Sequence, residues 1–293
     1  MSIIQDYRNS LKMVEVEEFL DLYLYRPVAF ALVRLISRSP ISPNQITLLS
    51  LASGLVAAVL YERWTFSSIQ LAGVMMILAN ILDCSDGQLA RMQHSGTRFG
   101  RLVDGVADWI IGVAVFVAIG IGLASSTGSE ISWLLVVFAG LSSGLHSMFF
   151  DFVQQEYLSV VRSEKHYVLR EIEKVDEELG QPGRRSFHVV RRLGLLIYRR
   201  YLDIQQGSLF RHRGSSDISA EEFRASHLRL MRWWTGLGTS GDRTLLILSS
   251  LLGHPEVYCW FVVGPVNFYL VVMLLWKHHV DQAMTARARL RQQ

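Results

Sequence analysis

Apolar residues along this 293-residue chain are gathered into blocks separated by short polar turns. The blocks run over 46–61, 69–82, 102–124, 131–152 and 257–276, with a shorter one at 245–252 that reaches membrane length only with its flanks. A helix that crosses a bilayer needs about 20 residues. Several of these blocks reach that length only by including polar ends, which places the polar ends near a membrane face. The pattern predicts an all-α polytopic membrane protein with six transmembrane helices. Before the first block, residues 14–25 alternate acids with Leu, Phe and Tyr. Pro27 then predicts a helix running to about Ser37, too short to cross and ending in Arg34 and Arg38, so it is expected to lie at the interface. Ser42 or Asn44 is expected to cap the first span.

The stretch between the fourth and fifth blocks is far longer than an ordinary loop. It predicts a helical cytoplasmic insertion over 158–242. Residues 163–180 read as a charged helix stopped by Gly180 and Pro182. Residues 184–200 carry paired arginines at 184/185, 191/192 and 199/200 among apolar residues, which predicts a segment lying on anionic headgroups. A further helix is expected to be capped at Ser219, and Trp233 and Trp234 to sit in an interfacial belt. The predicted organisation is 1–42 juxtamembrane, 43–157 four spans with an acidic motif, 158–242 insertion, and 243–293 two spans and a basic tail.

Composition and charge sharpen this picture. Half of the residues are hydrophobic and 19% are charged, against about a quarter in soluble domains. The basic residues are asymmetric. Segment 91–101, the region before the first span, the long insertion and the tail 277–293 are basic, whereas the turns at 61–68, 125–130 and 253–256 carry only Arg63. The positive-inside rule therefore puts both termini and the polar ends of spans two and three in the cytoplasm. The first 25 residues are too charged for a cleavable signal. Cys84 and Cys259 imply no disulfide framework, and Cys84 is expected as a small buried residue on the helix side away from the neighbouring acids. The arginine pairs beside a membrane block argue against nucleic acid as a partner.

Candidate chemistry is concentrated in residues 83–108, DCSDGQLARMQHSGTRFGRLVDGVAD. On a helix turning about 100° per residue, Asp83, Asp86, Gly87, Ala90 and Arg91 share one side. Gly100, Asp104 and Asp108, four residues apart, share a side of the next helix. Four acids converging between two helices repel one another and lose hydration unless a cation sits among them. Hard oxygen ligands suit Mg²⁺ or Mn²⁺. Gly87 and Ala90 remove bulk beside the acids so that a phosphorylated ligand can approach the backbone, and Arg91 adds a fixed cation for phosphate.

The full pattern, D-x2-D-G-x2-A-R-x8-G-x3-D-x3-D, resembles the signature of the CDP-alcohol phosphatidyltransferase family (class I) at every fixed position. The resemblance implies a membrane enzyme that moves a phosphatidyl or similar phospho-alcohol group from a CDP-linked donor to an acceptor alcohol, releasing CMP. It implies two divalent ions on Asp83, Asp86, Asp104 and Asp108, with Asp108 as the base that takes the acceptor proton. Gly87, Ala90, Arg91 and Thr97 would hold the cytidine phosphate, and Gly100 is the small residue of the second helix. The string Ser42-Pro43-Asn44-Gln45-Ile46-Thr47 is similar to the family's Pro-Asn-x-(Ile/Val)-Thr start of the first span, which implies that Asn44 and Thr47 lie near the donor diphosphate. By itself that string is a helix cap. CDP-diacylglycerol is the expected donor, a small alcohol the acceptor, and a homodimer the expected assembly. Tyr25-Arg26-Pro27 resembles members that use a CDP-inositol donor. An aspartate-rich intramembrane prenyltransferase would also grip diphosphate, but it lacks the Gly-x2-Ala-Arg insert and the second acid pair at i, i+4. A divalent-cation transporter would need its acids near the midplane.

Overall fold

The computed structural model describes residues 3–11, 13–37, 39–161, 175–177, 196, 199 and 219–291. All regular structure among them is helical. In chain order it comprises α1 (Ile3–Ser10), α2 (Arg26–Ile36), α3 (Pro43–Glu62), α4 (Phe66–Met92), α5 (Arg98–Thr127), α6 (Ser132–Val161), α7 (Ala220–Trp234), α8 (Thr239–Leu251), α9 (Pro255–Phe261) and α10 (Asn267–Arg291). A π-helical turn, Asp21–Tyr25, leads into α2, and another, Val262–Val266 with Pro265 inside it, joins α9 to α10.

The chain divides into two compact units, Met1–Met148 with Trp234–Val272, and Phe149–Trp233 with Met273–Gln293. In the first, α3, α4 and α5 pack along their lengths around Ala57, Tyr61, Ala72, Met76, Ile111 and Ile119. Lipid chains are as apolar as these side chains, so close packing and interhelical hydrogen bonds hold such a bundle. Gly54 shows how close the approach is: a Cβ there would stand 2.6 Å from the Ile111 side chain. Across the bundle the Ser50 hydroxyl donates to the Ala79 carbonyl at 2.9 Å, and Tyr61 and Ser250 share a hydroxyl bond of 2.6 Å.

Helix starts follow local chemistry. Ser42 caps α3 in a reciprocal box with Gln45, and Thr65 caps α4 in the same way with Ser68; Asn44 is not the cap. Pro27 falls in the first turn of the 11-residue α2, as expected. The Glu222 N–H donates to Ser219 Oγ at 3.2 Å, so α7 has the expected cap.

Among the described residues, five helices are long and apolar enough to cross a membrane: Pro43–Glu62, Phe66–Met92, Gly100–Thr127, Ser132–Val161 and Pro255–Arg287. The expected sixth, around 245–252, is the 13-residue α8, roughly 20 Å long. It is bounded by a 3-10 turn at Thr235–Leu237 and by Gly253 at φ +84°. Even so, α8 runs beside α4 between two levels. Arg243 bonds Asp83 at one end, and the Gln70 side chain donates to the Leu251 carbonyl at the other.

The N-terminal segment straps this unit. Arg26 pairs with Glu17 at 2.8 Å and Asp21 at 3.6 Å, and its carbonyl accepts from Gln88. The second unit is centred on Lys277, buried between Glu156 (2.9 Å) and Asp281 (2.7 Å), with His227 on Asp281 at 3.0 Å. Trp233 is exposed, but Trp234 is fully buried and belongs to no surface belt; successive residues of a helix point about 100° apart. The charged helix expected over 163–180 and the arginine-paired segment over 184–200 lie outside the described residues, apart from 175–177, 196 and 199.

Candidate active site

The acids are set by α4 and α5, each of which packs against α3. The end of α4 and the start of α5 are joined by the short stretch 93–97. Asp83 and Asp86 on α4 and Asp104 on α5 bring one carboxylate oxygen each within 4.8 Å of one another. Asp86 is buried and accepts a short hydrogen bond from the Thr47 hydroxyl of α3. That donor supports the charge without cancelling it.

Asp108, one turn further along α5, has another partner. Its carboxylate meets Arg243 Nη2 of α8 at 2.6 Å, and Arg243 Nη1 donates to Asp83 at 3.1 Å and to the Asn80 side-chain oxygen at 3.2 Å. Arg243 therefore ties α8 to both acid-bearing helices. It was not among the residues expected from the motif. The available signal was a lone arginine opening an apolar run, Arg243-Thr244-Leu245-Leu246, since a charge entering a membrane helix marks a functional position by default.

The other motif residues gather around this centre. Gly87 lies under the Arg91 guanidinium, where a Cβ would stand 3.4 Å from its nearest nitrogen, and Ala90 is half-buried beside them. Arg91 Nε donates to the Ser10 carbonyl at the end of α1. Thr97 caps α5, its hydroxyl accepting from the Gly100 N–H at 2.9 Å. A Cβ at Gly100 would come 3.1 Å from Thr97 Oγ1 and 3.2 Å from Asn44 Oδ1, so Asn44 and Thr97 converge over this glycine. Cys84 is buried on the opposite side of α4, its thiol 3.8 Å from Asp21.

Outside the spans, Glu18 accepts the Ser240 and Gly241 N–H groups at 2.8 and 3.2 Å, at the start of α8. Burial, and then the neighbouring Asp21, push its carboxyl up to about 8 against the pull of those two donors. Asp21 also accepts from the Ser240 hydroxyl, and Tyr25 shares a 2.9 Å hydroxyl bond with Thr244.

Residues 40–166, which hold α3, α4, α5 and every motif acid, match the CDP-alcohol phosphatidyltransferase family. They form a CDP-alcohol phosphatidyltransferase domain. The chain is 34% identical over 101 residues to a bifunctional IPC transferase and DIPP synthase of Thermococcus kodakarensis, which is 34% of this chain and 22% of that protein. A protein of the same description from Aquifex aeolicus is 27% identical over 149 residues, 51% of this chain and 32% of its own length. The phosphatidylinositol phosphate synthase of Corynebacterium glutamicum is 35% identical over 96 residues, 33% of this chain and 41% of its own. The chain thus spans less than half the length of these relatives. The family uses divalent ions, and three carboxylates converging within 4.8 Å are a donor set that fits one.

Proposed function

We propose that this protein is a membrane transferase that moves a phosphatidyl or related phospho-alcohol group from a CDP-linked donor, CDP-diacylglycerol in the favoured reading, to an acceptor hydroxyl with release of CMP. The observation that carries this reading is the convergence of Asp83, Asp86 and Asp104 from two facing helices, beside the Gly87–Arg91 surface. Asp83, Asp86, Asp104 and Asp108 would hold two divalent ions, Mg²⁺ or Mn²⁺. When bound, these supply neutralisation of the diphosphate and of the charge developing on phosphorus and the departing CMP.

The protein's own groups divide the remaining work. Gly87 and Ala90 leave room against α4 for the donor, and Arg91, one of whose N–H groups is already given to Ser10, orients its phosphate. Asn44 and Thr97, meeting over Gly100, line the same mouth, and Thr47 keeps Asp86 turned inward. Asp108 acts as the base. The acceptor oxygen forms the new bond to phosphorus as its proton passes to the Asp108 carboxylate, and the phosphorus–oxygen bond to CMP breaks.

The topology in this reading has six crossings, with α8 as the short fifth, because α8 shares the Asp83-to-Gln70 depth of α4. The basic flanks set the site on the cytoplasmic side, and α1 and α2 lie at the interface with 1–42. Residues 158–242 form a helical cytoplasmic insertion, and the enzyme is a homodimer. A second reading has specific support. The two proteins described as IPC transferase and DIPP synthase, and the Tyr25-Arg26-Pro27 segment bonded to Thr244 and Gln88 beside the site, favour a CDP-inositol type of donor.

The test is to incubate the purified protein in detergent with labelled CDP-diacylglycerol, and separately with CDP-inositol, across a panel of alcohols and alcohol phosphates. CMP should appear only with one donor class and a matching acceptor, and excess EDTA should stop it. Full turnover in EDTA, or no CMP with any donor, would overturn the assignment.

A further inference from the structure

The three-carboxylate cluster contains Asp83, Asp86 and Asp104 but not Asp108. Asp108 instead holds Arg243 Nη2 at 2.6 Å, and the other end of the same guanidinium reaches Asp83 at 3.1 Å and Asn80 at 3.2 Å. The Arg243 side chain is 13% exposed. It stands where a cation bridging Asp83 and Asp108 would stand. Nor is it a loose side chain, because α8 is docked along its length. Glu18 receives the helix's first N–H groups, Asp21 receives the Ser240 hydroxyl, Tyr25 bonds Thr244, and Tyr61 bonds Ser250.

Charge balance limits how many ions the site can take. With all four acids ionised, Arg243 leaves three negative charges uncompensated. One divalent ion in the Asp83–Asp86–Asp104 cluster brings the site to a single negative charge. A second divalent ion would overshoot to positive while Arg243 stays, and it would also need the carboxylate oxygens that Arg243 occupies. A bound guanidinium and a metal ion sharing the same carboxylates repel each other at such short range.

We propose that Arg243 is a tethered counter-cation that competes with a second divalent ion for Asp83 and Asp108. In the absence of donor, the protein then binds one divalent ion tightly and a second only weakly. The donor diphosphate, by adding negative charge, allows the second ion to enter as Arg243 releases Asp108. Release also frees the carboxylate that serves as the base, so Arg243 is a positioning residue for Asp108. This inference rests on the proposed metal-dependent transferase.

The experiment is a Mn²⁺ titration of the full chain in detergent without donor, with free Mn²⁺ followed by electron paramagnetic resonance. The wild-type protein should take up one ion tightly and a second at least roughly tenfold more weakly. Arg243→Gln keeps hydrogen-bonding capacity but loses the charge, and should tighten the second site by about tenfold or more. Arg243→Lys keeps the charge and should stay within about threefold of wild type. A merely structural role for Arg243 would move stability in both variants without this split in ion affinity. Two equally tight ions in the wild type, which needs no variant to fold, would overturn the proposal. So would an unchanged or weakened second site in a folded Arg243→Gln protein. Either result would leave the metal-dependent reading standing. No Mn²⁺ binding at all would overturn that reading, and the proposal with it.

Discussion

Asp86 and Asp108 belong to one motif and lie on facing helices, yet the protein surrounds them differently. Asp86, near the end of α4, meets the Thr47 hydroxyl and the carboxylates of Asp83 and Asp104. Asp108 meets a guanidinium that arrives from α8, far along the chain. A hydroxyl donor orients a carboxylate and leaves its charge for a ligand, whereas a guanidinium cancels that charge. In the proposed mechanism Asp86 is therefore the ligand whose carboxylate carries only a neutral support. Asp108 is held in a pair with Arg243, which in the proposed mechanism is exchanged before Asp108 coordinates or accepts a proton. Spacing along a helix places a residue on a face; its long-range partner decides what it does there.

The largest expected effect comes from removing the carboxylate of Asp86. Asp86→Asn should lower CMP release by roughly 10²–10³-fold or more, and should weaken Mn²⁺ uptake and donor binding together. Asp108→Asn should lower kcat by about 10²–10⁴-fold while the labelled CDP donor still binds nearly as well as to wild type. Filter binding of the donor beside a CMP assay separates the two. Equal loss of donor binding in both variants would erase the distinction between the acids. Near-normal turnover in Asp108→Asn would remove it as the base.

The half of the site on α4 and α5 was legible because helical spacing is local information. Asp83 and Asp86 three apart, then Asp104 and Asp108 four apart, must share faces whatever the tertiary fold, and the Gly87–Arg91 pairing follows from the same geometry. The caps at Ser42 and Ser219 and the start of α2 around Pro27 were legible for the same reason. Arg243 was not, because 160 residues separate it from Asp83 and no local pattern ties a lone arginine in an apolar run to a distant acid. The extent of α8 was hidden too. The apolar run at 245–252 looks like part of a full span, but a 3-10 turn before α8 and the positive φ of Gly253 after it limit the helix to 13 residues. For the N-terminal segment, sequence placed helix and turn but not the partner, because bonds such as Arg91 to Ser10 and Glu18 to Ser240 join residues with no sequence relation.

A smaller effect tests how much Asp86 owes to its neutral donor. Thr47→Val keeps the shape of the side chain and removes the hydroxyl that donates to Asp86. Losing one hydrogen bond to a charged group should lower CMP release by about tenfold and shift the Mn²⁺ requirement to higher concentration. Thr47→Ser, which restores the hydroxyl, should recover most of the loss. If valine and serine behaved alike, the Thr47 bond would be incidental, and Asp86 would differ from Asp108 only in lacking an arginine.

The smallest expected effect lies at Glu18, on the strap that docks the helix bearing Arg243. Its carboxyl takes two N–H groups at the start of α8, yet burial and Asp21 push it up to about 8, above an ordinary Glu value of 4.5. A group whose pKa is raised by folding favours the protonated form in the folded state. Its contribution to stability is therefore full below about pH 4.5 and is lost as the pH rises through about 8. Glu18→Gln is neutral throughout and still accepts a backbone N–H. Thermal unfolding of the wild type should become easier between about pH 5 and 8, and the variant should show a flatter pH dependence over that window and greater stability than wild type above it. Its CMP release near neutral pH should stay close to wild type, because glutamine holds the same end of α8 and leaves Arg243 between Asp83 and Asp108. The same pH slope in both proteins would mean that Glu18 is charged across the range. The docking of α8 would then depend on a carboxylate in the same way as the Asp83–Asp86–Asp104 cluster does, and only Asp108, with its guanidinium, would remain the exception.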